Sequence, residues 1–292
     1  MHSKLAAFSL LMVAALWGLT FPLIGMSVQT QDPIMFVAIR FSFAAIFVLP
    51  YFVKNLTKST LIVSLVLGLI QSVVFITQTI GLETVNASRG AFLTGIYVLL
   101  VPFLSPLLKM GSPTRHDLIS ALICCFGIYV LTECDIGQVS PGDLWIVMSA
   151  VMIGFSIVYI TKQALTDIDP LMLSYGQIVM TALMAWVPAI LLTPMDFAPF
   201  ITTQAFVSMG ICSVLSTIVA ITLQAKYQKD VPLQYAALIY SLEPVFAAGF
   251  DYMIQGTVPK VYTLIGGLII LASIFYLEFY RPKEQLAEIN LN

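Results

Sequence analysis

The chain has 292 residues, of which 59% are hydrophobic and only 10% are charged. Soluble domains carry roughly 25% charged residues, so this chain has too few charges to cover a surface in water. Its formal net charge is -2 and its 13 Lys and Arg residues are scattered, so no surface for nucleic acid is expected. These features predict a polytopic membrane protein surrounded by a lipid bilayer.

Apolar segments of the length that a membrane-crossing helix needs follow one another along the chain. Such a helix needs about 20 mostly apolar residues, because unpaired backbone groups are costly in hydrocarbon. The first segment is longer than the roughly 7–15 apolar residues of a signal peptide and further segments follow it, so we expect it to be retained. The predicted fold is all-α, with ten transmembrane helices at 5–27, 34–53, 61–82, 90–108, 117–132, 142–161, 170–192, 203–225, 232–253 and 261–280.

Positive charge is concentrated on one side of this arrangement. Cytoplasmic loops of membrane proteins carry an excess of Lys and Arg. Only Arg89 and Lys260 fall on the opposite side, and Arg40 lies inside the second segment. The other cations share one side: Lys4, Lys54, Lys58, Lys109, Arg115, Lys162, Lys226, Lys229, Arg281 and Lys283. The bias predicts that both termini are cytoplasmic, and the short loops suit a bacterial inner membrane.

The two halves of the chain share polar landmarks at fixed offsets. The offset is 146 for Gln78 with Gln224 and Pro113 with Pro259, and 137 for Asp32 with Asp169 and Pro33 with Pro170. Chance matching between Leu- and Ile-rich helices is the alternative, but these landmarks favour a duplication into units 1–133 and 142–281. Five helices per unit, an odd number, invert the second unit in the membrane. Inverted repeats are typical of alternating-access transporters, whose substrate site lies near the midplane between the repeats.

Four stretches carry a family-like pattern. They are ALWG at 15–18, GL at 81–82 followed by NASRGAFLTG at 86–95, LEPVFA at 242–247 and GGLII at 266–270. In this order the set resembles the EamA branch of the drug/metabolite transporter superfamily over nearly the whole chain. The resemblance implies ten helices in two inverted five-helix repeats around a central cavity, and transport of small organic metabolites.

Two positions depart from the pattern that the resemblance leads us to expect. Gly154-Phe155 stands where a Trp-Gly would open the second unit, and Tyr97-Val98 stands where the first unit would match Glu243-Pro244. These departures leave the fold assignment in place, but they do not allow substrate details to be carried over from the family.

Two ionisable residues lie deep in predicted helices. Glu243 is about eleven residues, or roughly 16 Å, into the ninth segment, and Arg40 about six residues, or roughly 9 Å, into the second. An ionisable group in the membrane costs at least about 2.5–3.5 kcal/mol, so each is a functional candidate. Glu243 could bind a cationic group or exchange a proton, and Arg40 could receive a substrate anion. The alternative is that the two neutralise each other and only hold helices together.

Further candidate binding residues are polar or aromatic. The amides Gln78 and Gln224 occupy matching places in the two halves, where they could face a wet cavity or bond between helices. Trp17 lies within a family-like stretch, and Tyr97 and Tyr240 each lie two residues from one. A tyrosine offers both a hydroxyl and a ring face to a cationic or aromatic solute. Together with Arg40 and Glu243, these residues form the predicted substrate site.

Other classes of function fit the sequence less well. No predicted helix contains a histidine, and neither the cysteines nor the carboxylates have the spacing of a metal or protease site, so we expect neither catalysis nor a bound cofactor. A nucleotide-binding G-x-x-x-x-G-K-[ST] motif is absent as well. The favoured function is secondary transport of an amino-acid-like or cationic solute by a monomer or homodimer. A non-transporting membrane receptor or structural membrane protein is the alternative.

Overall fold

The structure, a computed structural model, describes residues 2–85, 87–131 and 139–280. Its α-helices are α1 (His2–Ser27), α2 (Pro33–Lys54), α3 (Lys58–Gly81), α4 (Ala87–Gly95), α5 (Tyr97–Leu107), α6 (Arg115–Leu131), α7 (Pro141–Ala164), α8 (Pro170–Leu192), α9 (Thr203–Ile211), α10 (Ala220–Tyr227), α11 (Leu233–Tyr240), α12 (Glu243–Gln255) and α13 (Val261–Tyr280). A π-helical segment, Cys212–Val219, joins α9 to α10. The predicted unit boundaries at 1, 133 and 281 and the cations Arg281 and Lys283 lie outside the described residues.

Most predicted membrane crossings correspond to helices of sufficient length. The stretches in the described ranges that are long and apolar enough to cross a membrane are Lys4–Ser27, Pro33–Lys54, Lys58–Gly81, Arg89–Leu107, Pro141–Ala164, Pro170–Leu192 and Thr203–Asp230, and Val261–Leu277 is a shorter apolar helix. The all-α fold is confirmed for these residues, whereas ten crossings stay a prediction. The fifth predicted segment forms α6, of 17 residues. The ninth is interrupted between α11 and α12, so neither half reaches crossing length.

The repeated Asp-Pro pairs both begin a helix. The Asp32 carboxylate accepts hydrogen bonds of 2.9 Å from the backbone N–H groups of Ile34 and Met35, and Asp169 accepts one of 3.0 Å from Leu171. The proline after each Asp occupies the first helical turn, where its missing N–H costs nothing. Side-chain caps therefore explain why the same dipeptide begins α2 and α8.

Two membrane segments are broken in the same way. Ile96 separates α4 from α5, and its N–H bonds to the Leu93 carbonyl at 3.4 Å, while the Leu99 N–H bonds to the Ile96 carbonyl at 3.0 Å. At an offset of 146 residues, the Leu242 N–H bonds to the Ile239 carbonyl at 3.1 Å, and the Val245 N–H bonds to the Leu242 carbonyl at 2.9 Å. These tight bonds to the third preceding residue kink both segments, and they are the structural counterpart of the sequence repeat.

The first and second halves of the chain are interleaved. Helix α3 packs against α7 and α8, α2 against α8, α6 against α13 and α1 against α12. Glycines permit the closest approaches, since an added Cβ atom at Gly127 would lie 2.9 Å from the Gly266 carbonyl oxygen. Close contact of this kind is how helices associate where lipid provides no hydrophobic driving force. The space between the halves is therefore bounded by helices from both.

An ion pair also joins the halves. The Arg89 guanidinium donates to both Asp143 carboxylate oxygens at 2.8 Å. Asp143 lies in the first turn of α7 and also accepts a bond of 2.7 Å from the Ser140 backbone N–H. This bidentate pair ties α4 to the start of α7, on the side where the charge distribution predicts the outer surface.

A glycine on α1 provides a test of the packing between α1 and α12. An added Cβ atom at Gly18 would lie 2.6 Å from the Phe246 Cβ atom and 2.9 Å from the Glu243 carbonyl oxygen. The substitution Gly18→Ala should therefore lower the melting temperature of the purified protein, because overpacking costs about 1–3 kcal/mol.

Gly25 is the matched control on the same helix, since an added Cβ atom there meets nothing within 4 Å. Gly25→Ala should leave the melting temperature unchanged or raise it, because Ala favours helix by about 1 kcal/mol over Gly. Equal melting temperatures for the two variants would contradict the close contact between α1 and α12.

Candidate functional site

A narrow cavity lies between helices of both halves. Its walls are formed by Trp17, Thr20, Gln71, Val74, Phe75, Gln78, Tyr97, Ile153, Ser156, Ile157, Gln224, Tyr240 and Glu243. The space between atoms is about 530 Å³, but the centre of a water molecule can reach only about 40 Å³ of it. Six of the seven predicted site residues line this cavity, and Arg40 does not.

The two helix breaks bring Tyr97 and Glu243 to the cavity. Tyr97 is the first residue of α5 and Glu243 is the first residue of α12, and the two are 146 positions apart. The N-terminus of a helix carries partial positive charge, which favours a carboxylate there. The break therefore explains how the fold tolerates an acidic residue at this depth.

The Glu243 carboxylate has no protein counter-ion in the part of the chain that the structure describes. The side chain is 8% exposed, and no hydrogen bond or ion pair to it is found among the described residues. The ion pair that is found there joins Arg89 to Asp143, so Arg40 and Glu243 do not neutralise each other in this conformation. The Glu243 side chain forms part of the cavity wall.

Trp17 and Tyr240 form an aromatic wall beside the carboxylate. Their ring centroids are 5.3 Å apart with an interplanar angle of 50°. The Trp17 indole N–H donates to the Ser216 carbonyl at 3.1 Å, and the Tyr240 hydroxyl donates to the Gln228 Oε1 at 2.9 Å. Both rings are thus held by polar contacts with neighbouring helical segments, and both residues line the cavity.

The glutamine side chains of the cavity wall add polar atoms, of which some have a hydrogen-bond partner and others do not. The Gln78 Nε2 donates to the Thr94 hydroxyl at 3.3 Å, and the Gln71 Nε2 donates to the Ser156 hydroxyl at 3.2 Å. The Oε1 of Gln224 and the hydroxyl of Tyr97 are buried without a hydrogen-bond partner among the described residues. The cavity therefore holds polar atoms that a solute or water could satisfy.

Sequence reasoning missed several lining residues, some of which follow from helical spacing. Gln71 precedes Gln78 by seven residues, which is two turns along one face of α3, and Thr20 follows Trp17 by three residues, which is nearly one turn. Helical periodicity could thus have found both from residues already singled out. Ser156 and Phe75 carry no comparable signal.

Arg40 lies behind the cavity wall. It is 1% exposed, and its Nε donates to the Thr217 hydroxyl at 3.0 Å. Its guanidinium carbon lies 4.9 Å from the centre of the Phe75 ring and 5.5 Å from that of Phe41. Since Phe75 lines the cavity, one aromatic side chain contacts both the guanidinium and the cavity.

A second opening lies at one end of the helix bundle. A wider groove of about 570 Å³, measured for the centre of a water molecule, opens between the ends of α2 and α7 and the starts of α3 and α8. It is lined by Tyr51, Asn55, Thr57, Ser59, Thr60, Gln163, Thr166, Asp167, Ile168, Asp169 and Met172. Within the described residues, no group of His, Cys, Asp or Glu side chains could hold a metal ion.

Comparisons with known proteins agree with this architecture. The model of the EamA-like transporter family matches residues 4–133 and 140–279. An uncharacterized transporter of Archaeoglobus fulgidus is 27% identical over 275 residues, which cover 92% of this chain and 84% of the relative. A protein of known crystal structure aligns with a TM-score of 0.76 at 15% identity, covering 94% of this chain and 97% of that one. The last likeness concerns the fold alone.

The apolar helices and the family match define a multi-pass membrane protein of the transporter class. The chain belongs to the EamA-like transporter family, which matches it twice in succession.

The two cavity tyrosines allow a matched test of the hydrogen bonds described above. Tyr240→Phe removes the donor to Gln228 and leaves a buried oxygen unpaired, which costs about 1–3 kcal/mol, so the melting temperature should fall. Tyr97→Phe removes a hydroxyl that has no partner among the described residues, so the melting temperature should stay the same or rise. The reverse order of stabilities would contradict these hydrogen-bond assignments.

Proposed function

We propose that the chain is a secondary transporter that moves a small organic solute across the membrane by alternating access. The solute carries an ammonium group that lies against Glu243, and its apolar part lies against Trp17 and Tyr240. The proposed location is a cell inner membrane, with both termini cytoplasmic, and the working unit is a monomer or homodimer. The family and the cavity between the two halves of the chain support the proposal.

The observation that carries the solute class is the carboxylate without a counter-ion. An unpaired charge in a low-dielectric interior is costly, so it binds a cation or takes up a proton. Aromatic rings stabilise an ammonium group by about 0.5–2 kcal/mol through their electron-rich faces. The cavity offers the Glu243 carboxylate together with the rings of Trp17 and Tyr240, so an amine is the group that suits it best.

Alternating access is supported by the different surroundings of two equivalent turns. At the turn before Asp32, Gln31 donates to the Pro199 carbonyl at 3.4 Å, and Ser27 donates to Ser208 at 3.2 Å. The corresponding turn before Asp169, 137 residues later, borders the groove, where the Tyr51 hydroxyl donates to the Asp169 carboxylate at 3.0 Å. In an inverted repeat the two turns face opposite sides of the membrane. A conformation in which the two turns exchange their surroundings would therefore open the cavity to the opposite side of the membrane.

Binding and uptake by the purified protein test the proposal. Thermal-shift measurements with amino acids, amines, nucleotides and S-adenosylmethionine should find amine-bearing solutes that raise the melting temperature with concentration. Liposomes loaded with a stabilising solute should then take up the radiolabelled form. Glu243→Gln should abolish both the stabilisation and the uptake, because the amide cannot neutralise an ammonium group.

Asp251→Asn is the matched control. Asp251 lies on α12, eight residues after Glu243, and accepts a hydrogen bond from Gln255 outside the cavity. This variant should bind and transport as the unsubstituted protein does. Binding without uptake in liposomes would favour the receptor alternative, and binding that survives Glu243→Gln would refute the assigned role of the carboxylate.

A further inference from the structure

Arg40 is a buried cation whose two terminal nitrogens have no hydrogen-bond partner among the described residues. Its Nε donates a hydrogen bond to the Thr217 hydroxyl, and no carboxylate in the described ranges forms an ion pair with it. A buried charge without compensation destabilises a protein strongly. Two free guanidinium nitrogens form a fork that matches the two oxygens of a carboxylate.

The neighbours of Arg40 indicate how an anion would reach it. Phe41 and Phe75 cover the guanidinium, and their ring centres are 4.9 Å apart. Phe75 also lines the cavity, whereas Phe41 is fully buried and does not. The attraction between the guanidinium and the two rings is weaker than the cost of leaving a buried charge unpaired. Moving the Phe75 ring would connect the guanidinium to the cavity.

The repeat shows that this cation is particular to the first half. The offset of 137 that aligns the two Asp-Pro pairs places Gln177 at the position equivalent to Arg40. Gln177 is fully buried, and both atoms of its amide lack a partner among the described residues. A neutral amide cannot neutralise an anion, so charge recognition is confined to one end of the cavity.

We propose that Arg40 binds the carboxylate of the solute whose ammonium group lies at Glu243, once the Phe75 ring moves aside. The transported solute is therefore a zwitterion that carries both an ammonium group and a carboxylate, and not a simple amine. This inference rests on the proposed function, because it adds a second contact to the same solute.

Matched ligand pairs test the inference. The probes are phenylalanine with phenethylamine, methionine with 3-methylthiopropylamine, and lysine with cadaverine, measured by equilibrium binding to the purified full-length protein. The amino acid of at least one pair should bind about tenfold more tightly than its amine, as one charge-assisted bidentate contact gives. Arg40→Gln should remove this preference, and Arg40→Lys should retain part of it.

The outcomes separate this inference from the proposed function. If amines bind as tightly as amino acids, or if a folded Arg40→Gln protein keeps the preference, the role of Arg40 is refuted while Glu243 can still bind the amine. Replacing chloride with gluconate should change nothing. If amine binding instead depends on both chloride and Arg40, a free anion and not the solute carboxylate is the ligand.

Arginine labelling tests the access route without altering Arg40 and without a known solute. Phenylglyoxal should modify Arg40 several-fold faster in Phe75→Ala than in the unsubstituted protein, read by peptide mass spectrometry with Arg115 as the reference. Phe41→Ala, the matched control, removes a ring that contacts the guanidinium but not the cavity, and should not accelerate labelling. Equal acceleration in the two variants, or none in Phe75→Ala, would overturn the route through Phe75.

Discussion

The burial of the Glu243 carboxylate among helices is the constraint on which the structure of the cavity wall depends. Hydrocarbon supplies no water to Glu243, so the charge depends on protein dipoles, a ligand or a proton. The break at Leu242 makes Glu243 the first residue of α12 and places it at the positive end of that helix. The same break follows Tyr240, the last residue of α11, whose ring packs against Trp17. The carboxylate and one ring of the aromatic wall therefore lie on either side of one interruption of a helix.

The duplicated break shows how one scaffold acquires a directional site. The same tight hydrogen bonds interrupt both segments at an offset of 146, so backbone geometry is common to the halves. The side chains differ, since Tyr97 stands where the other half has Glu243, and Gln177 stands where the first half has Arg40. Symmetry of the backbone would permit the exchange of open sides, while asymmetry of charge would fix the orientation of a solute.

Depth within a predicted helix singles out Glu243, because an ionisable side chain far from water needs a reason to be there. Gln78 and Gln224 follow from their matching places in the two halves, and the structure brings all three residues to one cavity. Depth does not specify the face of a helix, which is why Arg40 was grouped with them although Phe75 separates it from the cavity. The π-helical segment at Cys212–Val219 also had no sequence signal. Its apolar composition suits an α-helix equally well, so the altered pairing arises from tertiary contacts such as those of Ser216 and Thr217.

The cavity is too small to hold a metabolite unless its wall moves. The reachable 40 Å³ is room for a few water molecules, since one needs about 10–15 Å³ on this measure, and a metabolite requires much more. Binding must therefore separate parts of the wall. Phe75 is a side chain in that wall that covers a charge on its other face, so its displacement both enlarges the cavity and exposes a new contact. A solute that gains this contact would offset more of the cost of opening than one without an anionic group, and selectivity would then arise from the opening step itself.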